Sequence, residues 1–276
     1  GQANRKYPVE IFTTNYDYLF EVGLEHHNIP YYCGFSGSYE PFFSPETVED
    51  LSFLSNQAKL WKIHGSLGWR HDKDTGKVIR SNPSDHDILI YPSILKYNDS
   101  QKQPYTSLMD RLGSFLRQDD SILFTCGYSF NDEHINEKII SALKTNTTSH
   151  VIALVYDKYT NEKKELKYAL QDDSPVVKLA KANGKFSVYG LRDAIVGRKH
   201  GKWQLRKEPA SDATPVVNLY FDEDAPQSEG QGLGEVKADG KLWTGNGEFC
   251  LPDFGKFVRF LNSMIVQDEV SALGNK

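Results

Sequence analysis

The chain has 276 residues, with 32 Lys or Arg against 37 Asp or Glu, and the resulting formal charge of −5 excludes a dominant, sequence-independent grip on nucleic acid. With 39% hydrophobic and 12% aromatic residues it is too apolar for wholesale disorder, and its length suits one large domain or one domain plus an extension. No run approaches about 18 uninterrupted apolar residues and no charged-then-apolar export pattern opens the chain, so a cytoplasmic protein without membrane contact is expected.

In chain order, Val9-Glu10-Ile11-Phe12-Thr13 is a β-rich run that passes through Thr14-Asn15-Tyr16-Asp17 into a helical pattern of Leu19, Phe20, Val22 and Leu24. Further strands are expected at Leu60–His64, Ile88–Tyr91, Ile122–Cys126, Val151–Tyr156 and Phe186–Tyr189, each bounded by Gly, Pro, Asn or Asp. Between them the spacing predicts helices over about 105–117, 132–144 and 161–170; Asn131 or Asp132 is placed to cap the second. Strands alternating with helices define an α/β protein with a parallel sheet, whose ligands lie outside the carboxyl ends of the strands. After Trp203 the texture changes: Ala210–Gly240 reads as a long acidic irregular segment with one short strand at Val216–Phe221. Beyond it, Asp253 caps an amphipathic helix with Phe254, Phe257, Val258, Leu261, Met264 and Ile265 at helical spacing. That stripe either docks on its own domain or forms an oligomer or partner surface. The expected division is residues 1–205 as one domain and 206–276 as a C-terminal extension.

Three groups of residues stand at strand ends. Thr13-Thr14-Asn15-Tyr16-Asp17 joins an amide and a carboxylate that can hold ribose hydroxyls or orient a water; Asn15 or Asp17 capping the next helix is the alternative. Ile63-His64-Gly65-Ser66 offers an imidazole beside a glycine that permits close approach, either as a general base or as a structural histidine. Cys126-Gly127-Tyr128-Ser129-Phe130-Asn131-Asp132 is a strand-to-helix turn suited to phosphate, through Gly127, the Ser129 hydroxyl and the N–H groups of the helix start; plain capping explains it equally well. Cys33, Cys126 and Cys250 are far apart and never form a C-x-x-C pair, so neither a disulfide framework nor a zinc site is expected from them. Asp85-His86-Asp87 is not a recognised ligand spacing, and Cys126 reads as a buried thiol rather than a nucleophile. No G-x-S-x-G, Walker A, H-E-x-x-H or G-x-G-x-x-G occurs, which removes support for serine hydrolases, P-loop ATPases, zincins and ordinary dehydrogenases.

The order T-T-N-Y-D, I-H-G-S, G-Y-S-F-N-D-E-H-I-N, a hydrophobic strand ending at Asp157 and then Val188-Tyr189-Gly190 resembles the sirtuin superfamily, and more closely the bacterial sirtuin-like NAD-hydrolase domains of antiphage defence. Cys33-Gly34-Phe35-Ser36-Gly37 and Ile90-Tyr91-Pro92-Ser93 look like the same branch, and the similarity runs over about residues 8–195. The resemblance implies a Rossmann-like parallel sheet flanked by helices, with NAD as substrate and no zinc. It implies that Asn15 and Asp17, with Thr13 and Thr14 beside them, contact the nicotinamide ribose and the attacking water, and that His64 is the base. It implies that Gly127 and Ser129 face the cofactor phosphates and ribose, and that Asp157 and Gly190 lie nearer the adenosine.

The family's glycine-rich phosphate loop should precede T-T-N-Y-D, and only a few residues stand ahead of that motif here, so a longer natural N-terminus and weak NAD turnover by this chain alone are expected. The interval 65–126 holds only Cys126, where deacetylating sirtuins carry a four-cysteine module, which favours hydrolysis of the dinucleotide. The expected activity is therefore NAD+ glycohydrolysis to nicotinamide and ADP-ribose, as an effector that depletes NAD in antiphage defence. A homo-oligomer, or a complex with a sensor, ATPase or Argonaute-like defence protein, is implied as the setting. The alternatives are a non-catalytic nucleotide-binding or assembly subunit, and then a protein deacylase.

Overall fold

The computed structural model describes residues 8–84, 103–160, 162–163, 166–168, 170–205, 220–222, 235–236, 242–243 and 246–273. The chain divides into two compact units, Gly1–Asp119 with Asp132–Thr147, and Asp120–Asn131 with Thr148–Lys276. The architecture is mixed α/β with parallel strands flanked by helices.

In the first unit β1 (Glu10–Thr13), β2 (Tyr31–Tyr32) and β5 (Ala58–Lys62) form a parallel sheet in the order β1-β5-β2, with Thr13 opposite Lys62. Helix α1 (Leu19–His26) follows β1 as the sequence predicts, yet none of its residues is fully buried, and Leu19 and Val22 stay 74% and 61% exposed. Strands β3 (Phe35–Ser36), β4 (Phe42–Phe43), β6 (Trp69–His71) and β7 (Val78–Arg80) make a second, antiparallel sheet in the order β3-β4-β7-β6. Tyr32, Phe35, Phe43, Val48, Trp61, Trp69, Val78 and Leu108 close the core, with the Phe35 ring 4.9 Å from Trp69 and 5.7 Å from Phe43. Helix α2 (Pro45–Glu49) brings in Val48. Helix α3 (Tyr105–Arg117) buries Leu108, Leu112 and Leu116, one face at four-residue spacing, and packs on α4 (Glu133–Thr145).

One buried ion pair ties this unit together. Arg111, 1% exposed, donates from Nε and Nη2 to the Glu10 carboxylate at 2.8 and 2.7 Å, and from Nη1 to the carbonyls of Val48 and Asp50 at 3.0 and 3.1 Å. Trp61 Nε1 donates to the same carboxylate at 2.6 Å, and the guanidinium lies over the Trp61 ring at 5.2 Å. The two-pronged geometry satisfies both carboxylate oxygens, which is what makes a buried charge pair tolerable.

In the second unit β8 (Ile122–Cys126), β9 (His150–Leu154) and β12 (Phe186–Tyr189) run parallel, and β13 (Asp193–Val196) and β14 (Lys199–Lys202) extend the sheet antiparallel, in the order β14-β13-β12-β9-β8. Two expectations are corrected in this unit. The described residues of 161–170 show no helix: β10 (Lys158–Thr160) pairs antiparallel with β11 (Leu166–Tyr168), because Lys-Tyr-Thr and Leu-Lys-Tyr alternate polar and apolar while a helix there would carry charge on every face. The strand expected at Val151–Tyr156 stops at Leu154. A helix the sequence reading passed over, α5 (Pro175–Ala182), starts with Pro at its first turn after Ser174 and buries Val176, Val177 and Ala180.

Short strands β15 (Phe221–Asp222) and β18 (Glu248–Phe249) pair with each other, as do β16 (Glu235–Val236) and β17 (Leu242–Trp243). Of the strand expected at Val216–Phe221 only Tyr220 and Phe221 are described, and Ile88–Tyr91 and Asp85–Asp87 lie outside the described residues. Helix α6 (Phe254–Leu273) is capped by Asp253, whose Oδ1 accepts the Lys256 N–H at 2.9 Å. Its apolar stripe is divided. Phe257 packs on Phe124 and Phe260 on Tyr220, whereas Phe254, Val258, Leu261 and Met264 are exposed; the Ile265 side chain lies outside the described residues. Among the described residues no helix is long and apolar enough to cross a membrane.

Candidate functional site

The carboxyl ends of β1 and β5 lie side by side, because parallel pairing continues one step past the strands: the Ile63 N–H donates to the Thr13 carbonyl at 2.9 Å. T-T-N-Y-D and I-H-G-S are thereby brought together in the first unit. Thr13 is buried and its hydroxyl accepts the Asn15 N–H at 3.1 Å, while Thr14 is half-buried and Asn15 exposed. Asp17 Oδ1 accepts the Leu19 N–H at 3.0 Å, so the carboxylate does the local turn-capping work that the sequence allowed for it.

His64 sits in the turn two residues beyond β5 and is 5% exposed. Its Nε2 is 3.0 Å from Asp132 Oδ2. Asp132 also caps α4, its Oδ1 accepting the N–H groups of His134 and Ile135 at 3.0 and 3.3 Å. Burial works against charge on Asp132, but the His64 hydrogen bond, the helix-end N–H groups and the attraction of the imidazole outweigh it and hold its carboxyl below the usual range. A carboxylate only accepts, so in the neutral ring Nε2 carries the proton and Nδ1 keeps the lone pair. The sequence left the cap open between Asn131 and Asp132; nothing in the spacing of Asp132 from His64 linked the two.

The sign of the Asp132 shift carries a prediction. A carboxyl lowered by folding stabilises the protein above its unfolded pKa, and that contribution is lost as pH falls through the lower folded value. Asp132→Ala is therefore expected to cost about 1 kcal/mol at pH 7 through the lost cap, with the gap to the parent closing in acid; denaturant unfolding from pH 7 down to about 2 measures it. An undiminished gap at the acid end would contradict the assignment.

The remaining candidates sit at strand ends of the second unit. Gly127 follows β8 with φ 65°, in a turn that favours glycine, and Ser129 lies two residues on. Asp157 follows β9 and Gly190 follows β12, the neighbouring parallel strand. These two are in close contact: the Leu191 N–H donates to Asp157 Oδ1 at 2.9 Å, and a Cβ on Gly190 would stand 2.9 Å from Asp157 Oδ2. Among the described residues Asp157 Oδ2 is buried without a hydrogen-bond partner. Burial pushes this carboxyl up, the Leu191 N–H works against that, and Asp193 and Glu248 add to the rise. Burial likewise pushes the Cys126 thiol up to about 11, which keeps it protonated and a poor nucleophile at neutral pH.

A family model of the SIR2-like domain matches residues 9–174, more than half of the chain. The chain belongs to this family. No curated protein matches it. The SIR2-like span takes in Thr13 to Asp17, His64, Gly127, Ser129, Asp132 and Asp157, while Gly190 and α6 lie beyond it. Membership is consistent with NAD-dependent chemistry. In the SIR2-like chain the carboxyl ends of parallel strands carry the candidates in both units, where α/β sheets hold their ligands. Among the described residues no group of three or more His, Cys, Asp or Glu is arranged to hold a metal ion.

Proposed function

We propose that this SIR2-like chain is an NAD+ glycohydrolase, producing nicotinamide and ADP-ribose, and that it serves antiphage defence by depleting NAD. The observation that carries the reading is His64, buried against Asp132 in the turn after β5 and directly beside the T-T-N-Y-D end of β1. A carboxylate that fixes the tautomer and orientation of an imidazole is how a general base is prepared, and a binding-only module has no need of one there.

In this reading Asn15 and Asp17 contact the nicotinamide ribose and the attacking water. The water oxygen bonds to C1′, the bond from C1′ to the ring nitrogen breaks, and its electron pair leaves with neutral nicotinamide. His64 Nδ1 takes the water proton, and Asp132 offsets the charge that forms on the ring. Gly127 and Ser129 face the phosphates and ribose, and Asp157 and Gly190 the adenosine end. Asp157 Oδ2, without a partner among the described residues, supports that last role, since a buried acceptor without a donor matches a ribose hydroxyl. The exposed Phe254, Val258, Leu261 and Met264 support assembly into an oligomer or with a sensor, ATPase or Argonaute-like protein. Chromatography of NAD incubated with the full-length protein tests the reading. Equimolar nicotinamide and ADP-ribose is the expected result; release of acyl groups from lysine peptides without free ADP-ribose would overturn it.

Asp157 yields a separate expectation. A carboxyl raised by folding gives stability that is present below its unfolded pKa and lost as pH rises through the folded value, so its charge opposes folding at neutral pH. Asp157→Asn is expected to raise the melting temperature by about 2–4 °C at pH 7 while weakening ADP-ribose binding. A lower melting temperature at pH 7, or unchanged ADP-ribose affinity by calorimetry, would contradict this role.

A further inference from the structure

Lys62 stands in the apolar run Leu60-Trp61-Lys62-Ile63 with its side chain 2% exposed, and a buried ammonium is costly unless every proton finds an acceptor. Its acceptors come from the two motif segments and the helix between them. Nζ donates to the carbonyl of Asp17, to the carbonyl of Tyr16 at 3.5 Å and to Ser66 Oγ at 2.8 Å; it pairs with Glu21 Oε1 at 2.6 Å and lies over the Tyr18 ring at 4.7 Å. The same segments are laced by the backbone: the Leu67 N–H donates to the Tyr16 carbonyl at 3.1 Å, and the Tyr18 hydroxyl to the Leu67 carbonyl at 2.6 Å.

Lys59, on the same strand and equally buried, gives the contrast. Its ammonium donates to the carbonyls of Phe53 and Leu54, a local turn, and lies against the rings of Tyr32 and Phe53. Among the described residues the Lys59 ammonium makes no hydrogen bond or ring contact with Thr13–Asp17 or His64–Ser66. One buried lysine of β5 secures a turn of the core, and the other joins the two candidate segments.

We propose that Lys62 is a positioning residue: its ammonium fixes the Tyr16–Asp17 backbone against the His64–Ser66 turn, so that the ribose-contacting loop and the base keep one spacing. The proposal rests on the glycohydrolase reading above. Lys62 touches neither substrate nor water; it acts through the carbonyls of the loop and through Ser66. A misplacement on the order of 1 Å between positioned groups costs about a hundredfold in rate, and that is the scale of effect at stake.

The test measures kcat and KM for NAD in the full-length protein for Lys62→Met, Ser66→Ala, their double variant, Lys59→Met and His64→Ala, with a thermal melt of each. Lys62→Met is expected to lower kcat about a hundredfold while KM moves less than about threefold, the signature of lost alignment rather than lost binding. Ser66→Ala is expected to lower kcat several-fold. The double variant should lose less than the product of the two, because both cut one tie. Lys59→Met is expected to melt earlier with kcat unchanged. If Lys62→Met does not fold, Ser66→Ala decides, since it leaves the buried Lys62–Glu21 pair intact, and an unchanged kcat there overturns the proposal. Equal kcat in Lys62→Met and Lys59→Met, with His64→Ala inactive, overturns it and leaves the glycohydrolase reading standing. Full activity in His64→Ala, or a parent that neither cleaves NAD nor binds ADP-ribose, overturns that reading itself.

Discussion

Replacing His64 by alanine is expected to lower NAD hydrolysis by about a hundredfold or more with the fold retained, since loss of a positioned base costs 10²–10⁴. Retention of the fold has a structural reason: Asp132 keeps both N–H groups of α4 on Oδ1 when the imidazole is gone, and the pocket vacated lies in a turn. Asn15→Ala is expected to fall as far. Asn15→Asp, of the same size but with a charge in place of the amide donor, should be impaired as well. Neither Asn15 change is expected to alter stability much, because the residue is exposed and it donates to the Thr13 hydroxyl through its backbone N–H rather than its side chain. The rates are read as nicotinamide release by the activated full-length protein. Full rates in both His64→Ala and Asn15→Ala would remove the site and leave an assembly subunit as the better description.

The largest effect on stability is expected at Arg111. Arg111→Met removes a guanidinium that makes four hydrogen bonds and leaves the Glu10 carboxylate, also 1% exposed, buried with Trp61 Nε1 as its remaining donor in this network. Breaking one partner of such a pair costs about 3–5 kcal/mol, most of it the stranded charge rather than the lost attraction. Arg111→Met/Glu10→Met is therefore expected to recover much of the loss, and salt to change either value little, because a buried pair is poorly screened. Denaturant unfolding of the three proteins gives the answer. A loss below about 1 kcal/mol in the single variant would show that the pair is not buried in solution.

The regular elements were legible where one periodicity held alone. Leu108, Leu112 and Leu116 spelled α3, and Ile135, Ile139 and Leu143 spelled α4, with Asn131 or Asp132 as its cap, of which the structure takes Asp132. Between Tyr156 and Lys185 the signal failed, because charged residues outnumber apolar ones and the hairpin of β10 and β11 rests on local alternation, while α5 announces itself only by Ser174-Pro175. Strand-end motifs were legible as candidates because glycine and short polar residues interrupt apolar runs there. Their partners were not. Asp132 lies 68 residues from His64, and Glu10 lies 101 from Arg111, so each pairing is a product of the fold and leaves no local trace. Lys62 was visible as a charge inside an apolar strand and passed over, since the run reads as a strand with or without it.

The chain crosses between its two units at residues 119–120, 131–132 and 147–148. Neither unit is a continuous piece of polypeptide, so no single cut separates them and no simple truncation yields either one whole. A chain ended at Asp119 keeps His64 and the α3 stripe but lacks α4 and with it Asp132. During synthesis His64 leaves the ribosome long before its carboxylate does, and the segment 120–131 of the other unit is made in between. The His64–Asp132 pair is thus completed only after part of the second unit exists, which couples its formation to the growth of both units.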